Sequence, residues 1–164
     1  MRRCCRTMYL GVMNTMITEE QKSCIQATPF AWMLSLGKTL KMSKTLLREL
    51  CFRWVERRGG FWLRSVFVPF TQLDVCVSLG LRVAGENIDL GNNNIDCQTR
   101  TIFHSTNVSV DMIYDELIKR ANGSKQCSVD EFCRLYILLG LSEFLLPNRS
   151  GRVFSGLFKI VDNI

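Results

Sequence analysis

The stretch Ser128-Val-Asp-Glu-Phe-Cys-Arg-Leu-Tyr-Ile-Leu-Leu-Gly-Leu141 constrains the fold more than any other part of the chain. Ser128 and Glu131 stand at capping-box spacing, and Asp130 and Glu131 sit where a helix start favours negative charge. From Phe132 to Leu141 the helix is apolar on nearly every face, with Arg134 as the exception. A helix of that kind has to be enclosed by others, which predicts a helical domain built around residues 129–141. The 164 residues amount to one domain's length. A chain of this size buries roughly 70% of the surface that its unfolded form exposes.

The best-matched neighbour for that helix lies at 110–121. Val110, Ile113, Tyr114, Leu117, Ile118 and Ala121 follow an unbroken helical period. Asp115–Lys119 and Glu116–Arg120 are expected to pair on its outside. Two more core helices are expected. Ser43 caps one over 44–57, where Leu46, Leu50 and Trp54 form one row and Leu47, Cys51 and Val55 the next. Thr71 and Asp74 open another over 71–79, apolar enough to predict burial on most sides. Gly59-Gly60 and Gly80 are the expected stops. Between them, Phe61 to Val68 mixes aromatic and β-branched residues and ends at Pro69, the pattern of a strand. The fold class predicted is mainly α, a helical domain with one or two short strands near 61–68.

The flanks are less patterned. Residues 1–24 read as a weakly ordered lead-in to a single helical region over 25–164, although Thr18 and Gln21 have capping-box spacing. Thr28-Pro29 starts a helix expected to run to Gly37, and residues 85–107 read as loop, with Gly91-Asn92-Asn93-Asn94 at its centre. Phe154, Leu157, Phe158 and Val161 share a face in a last helix expected over 153–164. That helix reaches the end of the chain uncapped, so the domain reads as truncated at its C-terminus.

Little here suggests catalysis. The single histidine, His104, removes most zinc sites and His-based catalytic clusters, and no Cys-x-x-Cys or glycine-rich phosphate loop occurs. The adjacent carboxylates at 19–20, 115–116 and 130–131 fall on exposed or N-terminal helix positions, where solvation and the helix dipole account for them. No catalytic, metal-binding or cofactor-binding residues are therefore expected, and the chain reads as a non-enzyme. Of the eight cysteines, Cys51, Cys76 and Cys133 occupy apolar periodic positions and read as small buried hydrophobes. With no secretory pattern and no apolar run of membrane-spanning length, a nuclear or cytoplasmic protein without membrane contact is expected.

Charge is the one functional cue. Residues 1–64 carry 12 basic and 4 acidic side chains, whereas 65–164 carry 9 and 11. Lys41, Lys44, Arg48, Arg53, Arg57 and Arg58 form the candidate nucleic-acid contact set, with Trp54, Phe61 and Trp62 interleaved. An acidic protein partner suits the same set, and so does a plain solvated helix face.

Three phrases carry a family resemblance. These are Leu47-Arg-Glu-Leu-Cys-Phe-Arg-Trp-Val-Glu-Arg-Arg-Gly-Gly60, Val68-Pro-Phe-Thr-Gln-Leu-Asp-Val-Cys-Val-Ser-Leu-Gly-Leu-Arg-Val-Ala-Gly85 and Phe132-Cys-Arg-Leu-Tyr-Ile-Leu-Leu-Gly-Leu-Ser-Glu-Phe-Leu-Leu-Pro147. Over residues 25–164 the chain resembles the plant mobile-domain proteins of transposon origin. These include the helical region that precedes Ulp1-type cysteine proteases in plant elements. The resemblance implies a non-enzymatic interaction module derived from a plant transposable element, contacting nucleic acid through its basic half. Alternatively, it implies the non-catalytic region of a SUMO-protease family protein. The label "aminotransferase-like" attached to some such proteins finds no pyridoxal lysine here.

Overall fold

The computed structural model describes residues 6–85, 87–91, 97–121 and 128–164. Among them, the first part of the chain forms α1 (Met8–Met13), α2 (Glu19–Gln26) and a 3₁₀ segment (Ala31–Ser35). Next come α3 (Lys44–Arg53), β1 (Trp54–Val55), a 3₁₀ turn (Glu56–Arg58), β2 (Gly60–Leu63), β3 (Val66–Pro69) and α4 (Gln72–Leu79). The remainder forms α5 (Gln98–Thr101), α6 (Val110–Ala121), α7 (Val129–Gly140), a π-turn (Leu141–Leu145) and α8 (Gly156–Asp162). The fold is mainly α with short strands, as the periodicities predict. The chain divides into two compact units, residues 41–86 and the rest.

The larger unit is organised by α7. Phe132, Cys133 and every residue from Leu135 to Leu141 are buried, as a helix apolar on all sides requires. Ser128 Oγ accepts from the Glu131 amide at 3.1 Å, which fixes the start of the helix. Around it pack α6 through Ile113 and Leu117, α8 through Leu157, Phe158 and Val161, and α2 through Ile25. In the region expected to be a lead-in, α1 and α2 are instead built into this core, with Leu10 and Met13 fully buried. Polar contacts compensate for the missing period. Tyr9 stacks on Tyr114 at 4.1 Å and donates to Asp111 Oδ1 at 2.6 Å. Asn14 donates to the Met33 and Leu36 carbonyls at 3.0 and 2.9 Å and accepts from the Tyr136 hydroxyl at 2.6 Å. The Asn14 contacts also hold the segment after Pro29, which closes as a 3₁₀ helix rather than the α-helix expected.

Two charge placements are corrected in this unit. Lys119 pairs with Glu116 at 3.4 Å rather than with Asp115. Arg120 does not face outward with Glu116. It is enclosed, only 1% exposed, and bridges Glu116 on its own helix to Glu131 on α7. The sequence reads Asn122-Gly123 as the stop of α6; that pair and most of the asparagine loop lie outside the described residues.

The smaller unit departs furthest from expectation. Ser43 Oγ does accept from the Leu46 amide, and the Thr71–Asp74 capping box is complete. However, α3 stops at Arg53, because Trp54 and Val55 turn extended and pair antiparallel with Phe61 and Gly60. The one or two short strands expected near 61–68 are two, β2 and β3, paired as a hairpin through Arg64-Ser65, and Arg64 takes a positive φ of 55°. Neither α3 nor α4 has a buried residue, so the expected core helices at 44–57 and 71–79 are not core. Cys51 is exposed and Cys76 half-buried, whereas Cys133 is buried as expected. Periodicity locates an apolar face, but it cannot say whether anything covers that face. A unit of about this size encloses little by itself.

Candidate nucleic-acid interface

The six candidate basic residues all fall in the smaller unit, and all are exposed. Lys41 precedes α3, Lys44 and Arg48 share one row of it, and Arg53 closes it. Arg57 and Arg58 lie in the turn between β1 and β2. Local helix chemistry accounts for one of them. Arg53 sits in the last turn, where the dipole favours a cation, and pairs with Glu49 at 3.5 Å. Lys44 has the opposite placement, in a first turn that carries no acidic residue. Positive charge there costs helix stability rather than adding to it. Among the described residues, none of the other five has a carboxylate partner.

The hairpin adds aromatic surface to this charge. On one face, Trp54, Phe61 and Phe70 meet edge to face with centroids 5.0, 5.8 and 6.5 Å apart. Trp54, which the helical pattern assigned to the core, is 40% exposed. On the other face, Trp62 and Phe67 stand directly opposite each other across β2 and β3, 6.4 Å apart. The Arg58 guanidinium lies 3.9 Å over the Phe67 ring and 5.9 Å from that of Trp62. A planar guanidinium laid on a ring keeps its N–H edge available for bidentate contact with an oxyanion.

Structure and sequence thus agree on where the cations are and differ on what accompanies them. Arg58 is brought to Trp62 and Phe67, while Lys41, Lys44 and Arg48 belong to the helix and its approach. Phe67 was missed because a single strand over 61–68 puts no partner opposite Trp62. The available signal was the two-residue spacing Arg64-Ser65 between two apolar runs, which is hairpin spacing even without Asn or Gly. Gly60 also has a legible reason. A side chain there would collide with the Val68 carbonyl and the Phe67 ring, so the close approach of β2 to β3 needs glycine.

No helix among the described residues is long and apolar enough to cross a membrane. Comparison with known proteins corrects the resemblance drawn from the phrases at 47–60, 68–85 and 132–147. No curated protein and no solved structure matches the chain. The family model that does match is not a plant mobile-domain model. Those phrases consist largely of capping residues and apolar helix positions, which unrelated helical domains share for physical reasons. The match runs over residues 3–164, and the chain belongs to the family described as Domain of unknown function (DUF8566).

Proposed function

We propose that the protein is a non-enzymatic nucleic-acid-binding module that grips the sugar–phosphate backbone through its Lys41–Glu86 unit. The observation that supports this best is the state of that unit's cations. All eight Lys and Arg side chains are exposed, against four acidic residues in the sequence. Among the described residues Arg53 alone of the eight is ion-paired. Exposed, unpaired cations are the groups that neutralise phosphates and release condensed counterions. A nuclear or cytoplasmic setting accompanies this reading.

The test is the salt dependence of binding to an oligonucleotide. With about four phosphate contacts, log K falls against log salt with a slope of about −3, so raising salt fourfold weakens binding about 60-fold. Replacing Arg48, Arg57 and Arg58 with alanine flattens that slope by about 2. Absence of binding near 50 mM salt, or binding indifferent to salt, overturns the reading.

A further inference from the structure

The hairpin offers more than charge. Trp62 is 45% exposed on a sheet face where Arg58 covers the neighbouring Phe67 and Arg64 follows two positions on, in the turn. On the opposite face the three rings are turned edge to face against one another. Trp62 and Phe67 are inclined by 39°, so that pair is not closed in a T-shaped contact. A half-exposed indole with the Arg58 guanidinium 5.9 Å from its centroid combines the two elements that bind an unpaired nucleotide, a flat ring for the base and a cation for its phosphate. Bases in a duplex are already stacked on their neighbours and present only edges, so they cannot use such a platform without unstacking.

We infer that Trp62 is a stacking platform for an unpaired base, with Arg58 and Arg64 flanking it for the adjoining phosphates, so that the unit binds single strands in preference to duplex. This rests on the reading that the Lys41–Glu86 unit binds nucleic acid. The occupant is identified by charge complementarity, since the exposed ring lies by Arg58 in a unit where, among the described residues, Arg53 alone of the eight cations has a carboxylate partner.

The experiment measures fluorescence anisotropy of a labelled 20-nucleotide thymidine strand, and of a duplex of equal length, with the full chain near 50 mM salt. Wild type, Trp62→Ala and Trp62→Phe are compared after circular dichroism confirms equal helix content. The single strand is expected to bind more tightly than the duplex. Trp62→Ala loses about tenfold on the strand and little on the duplex, and Trp62→Phe recovers most of that loss. If both substrates bind equally well and neither variant matters, the platform is overturned while backbone binding stands. If neither substrate binds, both readings fall. If poly-glutamate displaces the strand at equal charge concentration and Trp62→Ala binds poly-glutamate as wild type does, the surface takes acidic polypeptide and the inference is overturned. Should Trp62→Ala fail to match the wild-type spectrum, Trp62→Phe and the strand-over-duplex ratio of the wild type decide the matter. A ratio at or below one overturns the platform.

Discussion

Glu143 shows how one side chain substitutes for a missing sequence signal. The start of α1 lacks a capping side chain of its own: Thr7 makes no cap hydrogen bond. The Glu143 carboxylate, delivered by the π-turn after α7, accepts from the Tyr9 and Leu10 amides at 3.0 and 3.1 Å. A buried carboxylate at a helix N-terminus satisfies orphan donors and complements the dipole. Burial nevertheless dominates and raises its pKa above the ordinary carboxylate value, against the lowering effect of the amides and Arg6. The native state therefore holds this proton more tightly than the unfolded chain does. Its contribution to stability is greatest in acid and falls as pH rises from the unfolded carboxylate pKa through the folded one. Glu143→Gln retains an acceptor without the charge, so its stability relative to wild type should increase between pH 4 and pH 7 in urea unfolding. A difference that stays constant across that range would sink the argument. Glu143→Ala leaves the amides unpaired and should cost about 2–3 kcal/mol in acid, a cost that shrinks as pH rises toward 7.

At the scale of elements, the α6–α7 pair is held by more than its apolar seam. Arg120 is enclosed between Glu116 and Glu131, tying the last turn of one helix to the first turn of the other. Removing a buried partner of this kind leaves uncompensated charge behind. Arg120→Ala should therefore cost about 3–5 kcal/mol, read as a lower urea midpoint. Lys119→Ala, which removes only the exposed ammonium lying 3.4 Å from Glu116, should cost under about 0.5 kcal/mol. Comparable losses for the two variants would refute this assignment. The pair also shows where the sequence was legible. The helical period of 110–121 and the uniform apolarity of 132–141 specify both helices and their buried faces, because the signal lies inside each element. That Arg120 points inward depends on Glu131, on a different helix, and i,i+4 spacing alone carries no such information. The same limit explains α3 and β1. Leu46, Leu50 and Trp54 continue a helical row, but Trp54 and Val55 leave it for pairing with Phe61 and Gly60, a non-local contact that outweighs local propensity. Of the candidate site, the cations could be read directly from the chain, whereas the Trp62–Phe67–Arg58 cluster appears only once the hairpin register is set.

At the scale of the whole molecule, apolar composition is spread over both units but burial is not. Every large hydrophobic residue in the core belongs to the larger unit, from Leu10 to Val161. In the smaller unit Phe52 and Val77 are 78% and 74% exposed, and Leu46, Val66 and Leu73 are more than half exposed. Stability per residue must therefore differ between the units, since each buried aliphatic side chain contributes about 1.5–3 kcal/mol and an exposed one almost nothing. Amide exchange reports this directly, because backbone groups in structure with few buried contacts open at low free-energy cost. The amides of α6 and α7 should exchange only near the global unfolding free energy, while those of α3 and α4 exchange through much cheaper local openings. Substitution should follow the same division. Leu138→Ala, at the fully buried centre of α7, should cost about 2–5 kcal/mol, and Val77→Ala on α4 less than about 0.5 kcal/mol. The proposed binding reading adds a directional consequence. Saturating oligonucleotide should slow exchange of the amides in Lys41–Glu86, because a ligand that binds only when that unit is closed raises the cost of its local openings. If protection in α3 and the hairpin already equals that of α7 without ligand, the smaller unit has stability that its exposed surface does not explain, and this account of the molecule fails.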